Sequence, residues 1–177
     1  MKAAMDGRRL RGFTIIELMI VMVIVGVLAT IAAPSMRDIV VRTRLKTAAS
    51  DLHVSLTFAR SEAIKRNNTI SVIPANAADW SRGWRVEFAG PPIQVLARQD
   101  AYQEIAFATT DAANAAIALA SLSFAGTGRC AIANCPGVAF VLTAANSPTI
   151  RARCVILDPS GRAAVRTDRD GNPANGC

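Results

Sequence analysis

Histidine occurs once, at His53, tyrosine once, at Tyr102, and aromatic residues together make up only 5% of the chain. So few imidazoles leave nothing from which to build a histidine-based metal centre. The scarcity of aromatics also argues against a base-stacking platform for single-stranded nucleic acid. Four cysteines are present, Cys130, Cys135, Cys154 and Cys177, but no two are separated by just two residues, so an all-thiolate zinc site is not expected. Charged residues are 19% of the total, too few for a coiled-coil rod throughout. No nucleophile–base arrangement, Walker loop or dinucleotide fingerprint occurs. Asp158-Pro159-Ser160-Gly161 reads as a turn, and Gly126-Thr127-Gly128 is too short for a phosphate loop. His53, beside Leu52 in a helical pattern, reads as a partly buried or surface side chain. No catalytic residue, metal or cofactor is expected, and the chain does not read as an enzyme.

What the chain does have is apolar residues, 51% of its 177, which excludes a disordered polymer and suits one domain with an appendage. It is also basic, with net charge +7 and a pI near 10.1. Seventeen of the twenty basic residues are arginine. The apolar content is concentrated near the start. Met1–Gly12 is polar, with Lys2, Arg8, Arg9 and Arg11 against Asp6. From Phe13 to Ala33 runs an apolar stretch whose single charge is Glu17. As a helix it would span about 30 Å, the thickness of bilayer hydrocarbon, and the basic flank places its amino end in the cytoplasm. A secretory signal peptide is the plainer reading, with Thr30-Ile31-Ala32 as a cleavage site, but the run is long for one and contains a carboxylate. A carboxylate inside a membrane segment marks a functional pairing.

Arg11-Gly12-Phe13-Thr14-Ile15-Ile16-Glu17-Leu18 resembles the prepilin signature of type IV pilins and type II secretion pseudopilins. The resemblance implies that a prepilin peptidase cuts between Gly12 and Phe13 and that Phe13 is then N-methylated. Glu17 becomes the fifth residue of the mature chain, where it would pair with the new α-amine of a neighbouring subunit and set the axial register of a filament. Loss of the leader removes four basic residues and one acid and leaves the mature chain at +4. The implied organisation is a leader at 1–12, a transmembrane and filament-core half-helix at 13–36, and a periplasmic head at 37–177. The protein would begin as a single-pass inner-membrane protein and then join a filament of major and minor pilins.

Pro34 interrupts the apolar run, and pilins of this kind kink or locally melt there. Beyond it, Leu45, Ala48, Ala49, Leu52, Leu56, Ala59, Ala63 and Ile64 recur at three- and four-residue spacing, predicting an amphipathic helix that ends at Arg66 before Asn67-Asn68. Short apolar runs follow. They predict strands near 69–73, 84–88, 93–98, 104–109, 118–123, 138–143, 149–157 and 162–166, with breakers at 79–83, 90–92, 126–128 and 158–161. The alanines of 112–120 suit a helix better than a strand. The fold class is α+β: a long amino-terminal helix packed on an antiparallel sheet head. Trp80 and Trp84 read as packing residues. Arg60, Glu62 and Arg66 read as a solvated or ion-paired helix face.

A second resemblance covers the junction. Ala59-Arg60-Ser61-Glu62-Ala63-Ile64-Lys65-Arg66-Asn67 and the later Gly83-Trp84 are similar to the FimT/FimU/GspH branch. Together with the prepilin signature it spans about the first ninety residues. In an oxidising compartment the four cysteines would form disulfides. Of three pairings, Cys130–Cys135 with Cys154–Cys177 is favoured, the second tying the last residue back to the penultimate strand.

From Arg129 onward there are six arginines, no lysine and three acids, Asp158, Asp168 and Asp170. Period-two alternation puts Arg162 and Arg166 on one face, and likewise Arg151 and Arg153. Guanidinium groups on one face can grip phosphates bidentately. FimT-like minor pilins bind DNA through a carboxyl-terminal Gly-Arg-x-Arg element. Gly161-Arg162 matches its first arginine, whereas Ala164 stands at the second and Arg166 two residues later. Two readings stand side by side. In one, Arg151, Arg153, Arg162, Arg166 and Arg169 bind the backbone of double-stranded DNA; in the other, they keep an edge strand soluble and pair with nearby acids. Likewise two machines remain open: a type IV pilus with a FimT/FimU-like minor pilin, or a type II secretion system with a GspH-like pseudopilin. A membrane-anchored binding module that never assembles is a third reading.

Overall fold

The computed structural model describes residues 13–131 and 137–169, the side chains of 31–35 excepted. The chain divides into two units, Met1–Arg37 and Asp38–Cys177. Helix α1, Ile15–Arg66, begins in the first and ends in the second.

In the first unit Thr14 caps the helix. Its Oγ1 accepts the Glu17 amide at 3.3 Å, and its carbonyl accepts the Leu18 amide at 3.2 Å. Thr-x-x-Glu is the sequence form of a capping box. Ile15, Met19, Val23 and Leu28 are exposed like their neighbours, so no face of this stretch is covered. The backbone stays helical across Pro34, so the expected local melting is not found. A proline deletes one ladder hydrogen bond, and the bonds on either side carry the helix past it. Among the described residues no helix is long and apolar enough to cross a membrane.

In the second unit α1 buries one stripe: Val41, Leu45, Ala48, Ala49, Leu52, Leu56, Ala59 and Ala63. The expected set holds except at Ile64, which is 51% exposed. The helix ends where expected, in a Schellman motif. Asn67 takes φ 47°, its amide donates to Ile64 O, and the Asn68 amide donates to Ala63 O, both at 3.1 Å.

Eight strands follow: β1 Ile70–Asn76, β2 Asp79–Phe88, β3 Gln94–Gln99, β4 Ile105–Thr110, β5 Leu122–Phe124, β6 Val138–Ala144, β7 Arg153–Leu157 and β8 Ala163–Thr167. They form two antiparallel sheets rather than one, ordered β3-β2-β1-β5 and β4-β6-β7-β8. Their inner faces supply Ile70, Val72, Val86, Phe140, Val155 and Leu157 to a core shared with the α1 stripe.

Several element boundaries differ from the sequence reading. β2 starts at Asp79 rather than Trp84, because Asn76 pairs with Asp79 and a tight turn at Ala77-Ala78 closes the hairpin, with Ala78 at φ 58°. β7 starts at Arg153, because Ser147–Ile150 is held in a turn by the Ile150 amide on Ser147 O. The alanine-rich 112–120 is not helical. Asp111 Oδ1 takes the amides of Ala113 and Ala115 at 2.8 and 2.9 Å, diverting donors a helix would need.

Both tryptophans are packing residues, each 1% exposed. Trp80 meets Phe140 edge-on at 4.8 Å and donates Nε1–H to Leu119 O at 2.9 Å. Trp84 stacks on Tyr102 at 5.9 Å, and Gly83 before it takes φ 89° with Gln99 O where a Cβ would stand.

Candidate functional site

The β7–β8 hairpin carries most of the arginines singled out from the sequence. Its register sets Arg153 opposite Thr167 and Cys154 opposite Arg166. Opposed residues share a face and neighbours alternate. Arg153 therefore lies on the face of Val155 and Leu157, which looks towards α1, and Arg166 lies on the other. Arg153 donates to Thr167 Oγ1 at 2.6 Å, which holds its guanidinium across the strand pair.

Two depressions open at this end of the hairpin. A cleft of about 310 Å³ is lined by Arg42, Leu45, Thr149, Ile150, Arg151, Arg153 and Thr167. A wider trough of about 660 Å³ is lined by Arg151, Arg166, Thr167, Asp168 and Arg169. Arg151 borders both. Four of the five expected arginines are thus brought together, and Arg42 of α1 joins them. Arg42 was missed in the sequence, where its only signal is a place three residues before buried Leu45, beside the apolar stripe.

Arg162 is not part of this group. It precedes β8 at the opposite end of the hairpin, about 13 Å along the strand from Arg166 at 3.3 Å per residue. Its backbone amide donates to Asp158 Oδ1 at 3.0 Å in the turn. Ser160 Oγ, that amide and the Arg162 charge hold the Asp158 carboxyl below the usual carboxylate range. The match to the first arginine of Gly-Arg-x-Arg therefore falls on a turn residue. The three acids of the plainer reading fall in different places. Asp158 is engaged in that turn, Asp168 is buried and joins the trough, and Asp170 lies outside the described residues.

The other expected residues separate as follows. Phe13 is exposed, Gly12 lies outside the described residues, and Glu17 is exposed in the first turn of α1. Cys130 and Cys154 are not free thiols, while Cys135 and Cys177 lie outside the described residues. His53 is half-buried, with Nε2 3.1 Å from Ala163 O. Among the described residues no group of three or more His, Cys, Asp or Glu is placed to hold a metal. At the end of α1, Glu62 pairs with Arg66 at 2.7 Å and Lys65 at 3.3 Å, and Arg60 donates to Gly128 O at 2.9 Å. Glu62 and Arg66 are ion-paired as read, whereas Arg60 is held by a backbone carbonyl.

Known proteins share this architecture. The type IV minor pilin FimU of Pseudomonas aeruginosa superposes with a TM-score of 0.57 over 74% of this chain and 92% of that one, at 20% identity. The minor pseudopilin EpsH of the Vibrio cholerae type 2 secretion system gives 0.52 over 73% and 99%, at 11% identity. In sequence, a fimbrial protein of P. aeruginosa is 41% identical over 61 residues. The match covers 34% of this chain and only 40% of that relative. Residues 7–33 match the prokaryotic N-terminal methylation motif. The long helix and strand-built head define a pilin-like protein. Residues 48–161 match the family described as type II transport protein GspH, and the chain belongs to that family.

Proposed function

We propose that this chain is a minor pilin of a type IV pilus, of the FimT/FimU kind, which supports filament assembly and binds DNA for uptake. Residues 13–36 anchor it in the inner membrane, with the head 37–177 in the periplasm. Prepilin peptidase removes residues 1–12 at the Gly12–Phe13 bond and Phe13 is methylated. Glu17, the lone charge of the apolar rod, then receives the amine of a neighbouring subunit during assembly. In the head, Cys130 pairs with Cys135 and Cys154 with Cys177; peptide mapping without reductant that found Cys177 as a free thiol would remove the second pairing.

The observation that carries the pilus reading is the trough lined by Arg151, Arg166 and Arg169. A subunit that only pushes proteins outward has no need of convergent guanidinium groups, whereas a DNA backbone is held by them with little sequence preference and strong salt dependence. The secretion alternative is favoured by the family match itself. A Glu17→Val variant scored for piliation, transformation and protein secretion separates the machines: loss of the first two with secretion intact supports the pilus. For DNA, the full chain in nonionic detergent should shift duplex in a gel. The slope of log affinity against log salt should be near −3 for three phosphate contacts, at about 0.9 each. Arg166→Ala with Arg169→Ala should abolish most of the shift, and Arg162→Ala should leave it. A shift equally sensitive to all three would break the assignment.

A further inference from the structure

The two depressions meet at Arg151, and they differ in what they can admit. The trough that also takes in Arg166 and Arg169 extends over about 660 Å³. The cleft beside it is about 310 Å³, at the small end of ligand pockets. A duplex, whose major groove alone is about 12 Å wide, does not enter so small a space. A single phosphate with its sugar does.

Three separate parts of the head unit build the cleft. Arg42 comes from α1, Arg151 from the segment before β7, and Arg153 from β7 itself. Arg153 uses one of its N–H donors on Thr167 Oγ1 at 2.6 Å. That bond fixes the guanidinium across the β7–β8 pair and leaves its other donors for a ligand. Thr167 Oγ1 accepts there, so its own proton can be donated, and Thr149 supplies a second hydroxyl. Leu45 and Ile150, both buried, form an apolar wall.

Charge divides the phosphates of DNA into two kinds. A diester within the strand carries one negative charge and has neighbours on both sides. A phosphomonoester at a strand end carries about −1.5 to −2 at pH 7 and has three strong acceptor oxygens. It also projects from the end of the duplex, where a narrow cleft can receive it. Guanidinium forks match such oxygens bidentately. We propose that the cleft holds the terminal phosphate of a DNA strand, with Arg42, Arg151 and Arg153 on its oxygens, while the trough holds the diesters that follow. Arg151 borders both, so the strand end and the adjoining backbone lie on one continuous surface. The proposal rests on the reading that this chain binds DNA, and adds that it prefers free, phosphorylated ends. A molecule without such an end is held through the trough alone.

The test uses the full chain in nonionic detergent and one short duplex in two forms, with phosphate or with hydroxyl at every strand end, each labelled at an internal base. Fluorescence anisotropy should show the phosphorylated form bound about tenfold more tightly, the worth of one further charge-assisted contact. Arg42→Gln with Arg153→Gln should erase that preference and leave the hydroxyl form bound as by the parent chain. Arg166→Ala with Arg169→Ala should weaken both forms by the same factor and keep the preference. Arg42→Gln alone, at an exposed position, should lose about threefold of the preference, and it serves where the double variant does not fold. A single variant that keeps the whole preference overturns the proposal. A folded double variant that loses the hydroxyl form as well would place both arginines under the backbone and overturn it too. If the parent chain binds neither form, the DNA reading itself fails; if it binds both alike, only the end preference does.

Discussion

The two parts of α1 have the same backbone and opposite surroundings. From Ile15 to Leu28 the apolar side chains lie open, Ile15 at 82% and Met22 at 65%. From Val41 to Ala63 one stripe is closed off, with Leu45, Leu52 and Leu56 at 1% or less. Helix propensity does not separate them. The difference is where the large side chains stand. In the first part they occupy every face, which only an apolar solvent or a ring of sister helices can cover. In the second they keep to one face, and Ala48, Ala49, Ala59 and Ala63 let the sheets come close.

Removing a large apolar side chain from each part of α1 should have opposite consequences. Leu52→Ala, at a fully buried site, should cost the head about 2–5 kcal/mol, read as a lower denaturant midpoint of the full chain in detergent. Met22→Ala should leave that midpoint in place. Equal losses would mean that the rod is part of the head's core.

A smaller effect is expected at Gly161, where the β7–β8 turn meets the loop after β5. Gly161 sits at φ 81°, and a Cβ there would run into the Gly128 carbonyl oxygen. Both groups are backbone, so neither can swing aside. Gly161→Ala should cost about 1–3 kcal/mol with the arginine end of the hairpin still able to bind. A loss of binding as large as the loss of stability would show that the two ends are not independent.

Tyr102 comes next. Its hydroxyl donates to Asp51 Oδ2 at 2.7 Å and ties the segment before β4 to α1. Burial first, then that hydrogen bond and the Asp51 charge, push the phenol well above its ordinary value near 10. A raised folded-state value means the contribution is whole below about pH 10 and is lost as pH climbs beyond it. Stability of the native chain should therefore fall more steeply above pH 10 than that of Tyr102→Phe. The variant should itself lose about 1.5 kcal/mol at neutral pH, and parallel pH profiles would remove the assignment.

Much of this was legible along the chain. The end of α1 at Arg66 was, because Asn67 is a residue that tolerates the left-handed cap and the apolar spacing stops there. The buried stripe was too, because a period of 3.6 needs no partner to be seen. The Thr14 cap was readable as Thr-x-x-Glu but was hidden inside a longer signature. The division of the strands into two sheets was not readable, since alternation marks a strand's faces and not its neighbours. Nor was the gathering of Arg42 with Arg151 and Arg153, more than a hundred residues apart, which depends on how α1 crosses the β7–β8 hairpin. Arg162 shows the reverse error. A local motif drew it into the arginine group, and strand length carries it away.

The smallest effect is expected where charges are most conspicuous. Glu62 bonds Arg66 and Lys65, and chiefly through Arg66 its carboxyl is held below the usual range. What that pairing contributes is present above the ordinary carboxylate range and is lost as pH falls through the lowered value. Exposed pairs of this type are screened and cost side-chain freedom, so Glu62→Gln should leave the midpoint at pH 7 where it was. Arg60, two residues earlier, makes one bond, but to the Gly128 carbonyl, a fixed acceptor in the neighbouring turn. Arg60→Ala strands that carbonyl and frees the turn against which Gly161 packs, so it should destabilise measurably where Glu62→Gln does not. If the order were reversed, charge pairing rather than attachment to the sheets would be what seats the end of α1 on the head.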